Sequence, residues 1–146
     1  RRIVRALEVI DLTGSFSASL PAHADASVYD DAVLIGLDVP RDILDERIVR
    51  RVDVMWAAGF VDEVRRLQPS LRGTATAERA IGYQQVLDFL GGEISEEEAR
   101  AATIAATRKF ARRQDRMFHQ DPRVHWLRFD SPTLVDDAAE LVRPIA

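Results

Sequence analysis

The run Ala32 to Val39, AVLIGLDV, lies between Asp31 and Pro40 and is almost continuously apolar. A half-exposed antiparallel strand alternates polar and apolar residues, so an unbroken run predicts a strand buried on both faces, as in a parallel sheet. Only one other segment, Val124 to Phe129, reads as a strand. Two buried strands cannot make a covered sheet by themselves. The expectation is that further strands come from elsewhere, most simply from a segment N-terminal to Arg1.

Everything else predicts helix or loop. Arg1 to Leu12 carries Ile3, Val4, Leu7, Val9 and Ile10 at near-helical spacing and stops at Thr13-Gly14; Ser15 to Asp31, small and polar around Pro21, reads as a long loop. Pro40 hands the strand to a helix over Arg41 to Ala58, with Ile43, Leu44, Ile48, Val52 and Met55 in one stripe and Gly59 as its stop. A short helix over Phe60 to Leu67, a break from Pro69 to Gly73, and a helix from Glu78 to Leu90 closed by Gly91-Gly92 follow. Ser95 with Glu98 three residues on is a capping box that opens a helix running to His119, and Thr133 to Val142 is the last helix. The class is helix-rich α/β.

With 146 residues and 47% hydrophobic content the chain suffices for one domain or a large piece of one. The absence of cysteine excludes disulfides, thiol nucleophiles and thiolate metal sites, no apolar run has the length of a membrane span, and the charged start is unlike a signal peptide. A cytoplasmic location is expected. His23, His119 and His125 are too scattered for a zinc site, Trp56 and Trp126 fall in apolar stripes and are expected in the core, and Asp136-Asp137 reads as a cap. No GxxxxGK[ST] loop, HExxH or nucleophile elbow occurs.

The net charge of -4 alone would not draw a polyanion, and the distribution of charge matters more than the sum. In Thr107 to His119, Arg108, Arg112 and Arg116 recur at four-residue steps and share a helix face, flanked by Lys109 and Arg113 and interleaved with Phe110, Gln114 and Phe118. A solvated face complementing the helix dipole is the plainer reading. Arginines for phosphates beside flat and amide side chains for bases are also what grips single-stranded RNA. Arg1, Arg2 and Arg5 form a second basic cluster, and Arg47, Arg50 and Arg51 a third. Arg47 and Arg51, one turn apart, are placed to clamp a diphosphate, or else to pair with Asp45, Glu46 and Asp53. Arg79-Ala80-Ile81-Gly82-Tyr83-Gln84 sets a glycine for close approach beside a tyrosine that either stacks on a base or is simply buried.

In this order and spacing, RRIVRALEVIDLTG, LDVPRDILDERIVRRVDVMWAAGFVDEV, RAIGYQQVLDFLGGEIS and TRKFARRQDRMF resemble the C-terminal half of tRNA dimethylallyltransferases. The resemblance implies a P-loop-kinase-like α/β core with an inserted helical domain. Residues 1–31 would then be the end of that insertion and a mobile loop, and 32–146 the C-terminal part of the core. It implies Mg²⁺-dependent transfer of a dimethylallyl group from its diphosphate to N6 of adenosine 37, beside the anticodon of tRNA, with the adenine flipped out.

The family's tRNA contacts match Arg1, Arg2, Ile3, Val4 and Arg5; Arg79 to Gln84; and Arg112, Arg113, Gln114, Asp115, Arg116, Met117, Phe118 and His119. Its diphosphate contacts match Arg47 and Arg51. Its phosphate loop, magnesium ligand and general-base aspartate belong to an N-terminal half with no counterpart here, so no catalytic or metal residue is expected in this chain and it should be inactive alone. Gln84-Gln85 replaces a charged pair, and Asp115 stands where a neutral residue is common. A monomer binding the anticodon stem-loop and dimethylallyl diphosphate is expected. A nucleotide-kinase fragment, with Arg47 and Arg51 as lid arginines, and a stand-alone helical RNA-binding module are the other readings.

Overall fold

The computed structural model describes residues 2–14, 32–71, 74 and 76–143. Arg1 and the loop expected over 15–31, with His23, lie outside them, as do the side chains of Arg2 and Arg5. The chain divides into two units, 1–32 and 33–146. In the first, α1 (Arg2–Thr13) ends where the Gly14 amide donates to the Ile10 carbonyl at 2.7 Å. Ile3 and Leu7, one turn apart, are exposed.

The second unit runs β1 (Leu34–Asp38), α2 (Arg41–Ala57), α3 (Phe60–Leu71), α4 (Tyr83–Leu90), α5 (Glu96–Phe118), β2 (Val124–Arg128) and α6 (Leu134–Val142). The strands pair in parallel, Leu34 opposite Val124, Gly36 opposite Trp126 and Asp38 opposite Arg128. The parallel pairing follows the sequence; the burial does not. Leu34, Ile35 and Leu37 are 39, 37 and 53% exposed. Among the described residues β1 has β2 as its single strand neighbour, and one pair of strands shields little of its own apolar surface.

Register fixes a second feature. A Cβ on Gly36 would lie 2.7 Å from ring atoms of Trp126, so glycine is what lets that indole lie flat across the neighbouring strand. The ring of His119, at the end of α5, stacks on the same indole with centroids 3.9 Å apart and planes at 16°. Trp126 is therefore half-buried in a strand–indole–imidazole stack instead of in the core expected for it.

The core lies among the helices. Phe60, Val64, Leu71 and Val86 form its buried centre, with Met55, Trp56, Tyr83 and Leu87 packed around them. Leu71 explains why α3 passes through Pro69 to end four residues later than the expected Leu67. A proline inside a helix removes one amide donor and crowds the preceding turn, but here that cost falls on the final turn, and burying Leu71 against Phe60 and Val64 offsets it. Conversely, α4 begins at Tyr83 and not at Glu78. Gly82 has φ +95°, outside helical space.

Along α5, Ala99 and Thr103 are buried, as are Ile48 and Val52 on α2. The predicted capping box is present: Ser95 Oγ accepts from the Glu98 amide at 3.2 Å, and Glu98 Oε2 accepts from the Ser95 amide at 2.7 Å. These bonds hold the Glu98 carboxyl below the usual glutamate range. A carboxyl depressed in the folded state adds stability that is present above its unfolded pKa and lost as pH falls through the folded value. Ser95→Ala is expected to cost about 1 kcal/mol. Acidification below the glutamate range should narrow the gap between parent and variant, as read from urea midpoints across pH.

Candidate functional site

Beyond Thr107, α5 leaves the core. Every residue from Arg112 to Gln120 is exposed, so the predicted cationic stretch is a free surface of the second unit. The row is shorter than its spacing suggests. Arg108 turns inward, with Nε 3.7 Å from Asp45, and its carbonyl accepts from Arg41 Nη2 at 3.2 Å. Asp45 is shared with Arg41 at 3.1 Å. Neither Asp45 Oδ1 nor Arg108 Nε is in hydrogen-bonding geometry, so Asp45 is held to both arginines by charge, and with the Arg41 bond to the Arg108 carbonyl this joins α2 to α5. The outward cations are Lys109, Arg112, Arg113 and Arg116. Arg113 lies over the Phe110 ring at 5.2 Å, whereas Arg112 and Arg116 make no ion pair among the described residues. Asp115 does not neutralise them: its carboxylate lies 3.2 Å from His119 Nδ1, and its carbonyl meets the same ring at 3.0 Å.

Gln114 faces two clefts. One, of ≈ 480 Å³, runs along the exposed strands and is lined by Leu34, Gly36, Trp126, Phe118 and Asp115 among others. The second, of ≈ 500 Å³, lies between α2 and α5 and contains both arginines of the predicted clamp, Arg47 and Arg51, against Val52, Met55, Ile81 and Phe110. The pairing expected for these arginines is largely pre-empted. Asp45 is held by Arg41 and Arg108, and Asp53 accepts from Arg100 Nε at 2.9 Å. Arg47 lies over the Phe129 ring at 4.7 Å and makes no ion pair among the described residues. A cleft with two cations on one wall and an apolar floor suits an amphiphile with an anionic head.

The Arg79 to Gln84 segment divides between surface and core. Arg79, Ala80 and Ile81 are exposed on a turn. The Tyr83 ring meets Phe60 edge-on with centroids 5.5 Å apart, and its hydroxyl donates to Glu63. That bond, together with partial burial, raises the phenol above its ordinary value. The tyrosine is thus committed to packing, the plainer of its two readings. Gln84 Nε2 donates to Asp88 at 2.8 Å. Sequence reasoning missed Glu63 and Phe129, which meet Tyr83 and Arg47 only through tertiary contact and carry no local signal.

Parallel strands, a long helix with an exposed cationic end and an arginine-lined cleft define a helix-rich α/β chain with two cationic surfaces. The family model described as IPP transferase matches residues 1–121, and the chain belongs to that family. It is 60% identical over 144 residues to a tRNA dimethylallyltransferase of Thermobifida fusca, covering 97% of this chain and 44% of that protein. It is 64% identical over 129 residues to one of Streptomyces avermitilis, covering 87% and 40%. The full-length tRNA isopentenylpyrophosphate transferase of Bacillus halodurans superposes with a TM-score of 0.73 at 34% identity, over 97% of this chain and 45% of that one. The chain therefore spans less than half the length of these relatives.

Proposed function

We propose that this chain serves the transfer of a dimethylallyl group from dimethylallyl diphosphate to N6 of adenosine 37 in tRNA. In this reading it supplies contacts to the anticodon stem-loop and to the diphosphate, and it acts as a monomer in the cytoplasm. The observation that carries the reading is the free cationic end of α5 beside a cleft holding Arg47 and Arg51, in a chain of the IPP transferase family.

Allylic transfer builds positive charge on the prenyl carbon and negative charge on the departing diphosphate. Guanidinium groups fixed at the leaving group stabilise that separation, and Arg47 and Arg51 are the groups assigned to it. The exposed arginines of α5 and the Arg79 turn hold the RNA, orienting a weakly nucleophilic amine. Arg1, Arg2 and Arg5 are assigned to the same RNA.

Mg²⁺ and a general base complete the proposed reaction. Neither role is assigned to a residue of this chain. No described helix is long and apolar enough to cross a membrane.

Arg51→Ala is expected to weaken binding of dimethylallyl diphosphate to the chain about tenfold, the loss of one charge-assisted contact. Calorimetric titration checks it. Equal affinity in parent and variant would remove Arg51 from the donor site.

A further inference from the structure

The turn before α4 is exposed where it carries Arg79, Ala80 and Ile81, yet it is pinned from behind. Gly82, buried and at φ +95°, faces α3 so closely that a Cβ would lie 3.0 Å from Phe60 Cζ, and 3.7 Å from Thr103 Cγ2 on α5. Its amide donates to Gln85 Oε1 at 2.7 Å. One residue on, the Tyr83 hydroxyl donates to Glu63 on α3, twenty residues away in the chain. Among the described residues the backbone bonds here run from Glu78 to Thr74 at 3.1 Å, Ala80 to Ala77 at 3.1 Å and Gln84 to Ala80 at 3.2 Å. Side chains of α3 add the contacts that tie this turn to the core.

We propose that Tyr83 and Glu63 form a positioning latch that holds the Arg79–Ile81 turn in the conformation in which it meets RNA. This rests on the RNA reading above. A phenylalanine would supply the same ring to Phe60, so packing alone does not call for the hydroxyl. What the hydroxyl adds is a charge-assisted bond to α3, which fixes the direction in which α4 and the turn before it leave the core. Ile81 extends from that turn into the cleft of Arg47 and Arg51. Loosening the turn would thus disturb the RNA surface at its border with the arginine cleft. A preformed loop spares RNA binding the ordering cost that a loose one incurs.

The test uses the full chain, with backbone hydrogen exchange over residues 78–82 and titration of a labelled anticodon stem-loop RNA. In Tyr83→Phe and Glu63→Leu, exchange over this turn should quicken about five- to tenfold while the centre of α5 keeps its protection. RNA affinity should fall about fivefold with an unchanged salt slope, because no phosphate contact is removed. Glu63→Gln, which keeps an oxygen acceptor, should restore slow exchange and affinity relative to Glu63→Leu. Arg79→Ala, by contrast, should flatten the salt slope.

Parental exchange in Tyr83→Phe, or faster exchange with parental RNA affinity, would overturn the latch and leave the RNA reading standing. A parent chain that binds no RNA would overturn the RNA reading itself, and the positioning role with it.

Discussion

Phe60→Ala is expected to destabilise the protein by about 3–5 kcal/mol, the range for removing a buried aromatic ring without collapse of its surroundings. The surroundings here have little freedom to close. The ring stands 5.4 Å from Trp56 and 5.5 Å from Tyr83, centroid to centroid, and fills the space beside Gly82. It is also the first residue of α3, so it ties that helix to the end of α2 and to the start of α4. A domain of this size commonly has a stability of about 5–15 kcal/mol, so the variant should lose a large fraction of it. Urea denaturation followed by circular dichroism should show a lower midpoint at unchanged slope, and Phe60→Leu should cost less than half as much. A loss under about 1 kcal/mol would mean that the helices are held together elsewhere.

Removing Arg112, Arg113 and Arg116 together is expected to weaken binding of an anticodon stem-loop RNA by roughly 10- to 100-fold at low salt, at about 0.5–1 kcal/mol for each exposed phosphate contact. The slope of log affinity against log salt should flatten by about 2, three contacts at roughly 0.7 each. Folding should be untouched, since these side chains are exposed and none is part of the core. Fluorescence titration at several salt concentrations separates the two effects. Unchanged affinity and slope would remove the end of α5 from the RNA surface.

How far the sequence foretold this molecule depended on how local each signal was. The α5 capping box, the stop at Gly59 and the two parallel strands were legible because a few adjacent residues specify them. The boundaries of α3 and α4 were not. Whether a helix continues through Pro69 is decided by the burial of Leu71, and whether it begins before Gly82 is decided by a backbone angle matched to Phe60. Neither partner is adjacent in sequence. The exposure of β1 has the same origin, because apolar composition reports what a strand can bury and not what covers it.

The candidate site divides likewise. Charge periodicity found α5, but no spacing rule could say that Arg108 would be drawn to Asp45, sixty-three residues earlier, while Arg112 and Arg116 make no ion pair among the described residues. The pair Arg47 and Arg51 was visible as two cations one turn apart on α2. The contacts of Asp45 with Arg108 and of Asp53 with Arg100, beside which Arg47 and Arg51 make no ion pair among the described residues, were not.

Helix α5 begins with Glu96, Glu97 and Glu98 and carries Arg112, Arg113 and Arg116 at its far end, 23 residues long overall, or about 34 Å at 1.5 Å per residue. Such a rod feels a torque in the field of a polyanion: one end is repelled while the other is drawn in. Orientation can therefore be selected before contact, at a distance where no hydrogen bond exists. In the proposed reading, a chain of net charge -4 in this way turns the basic end of α5 toward RNA and its acidic start away.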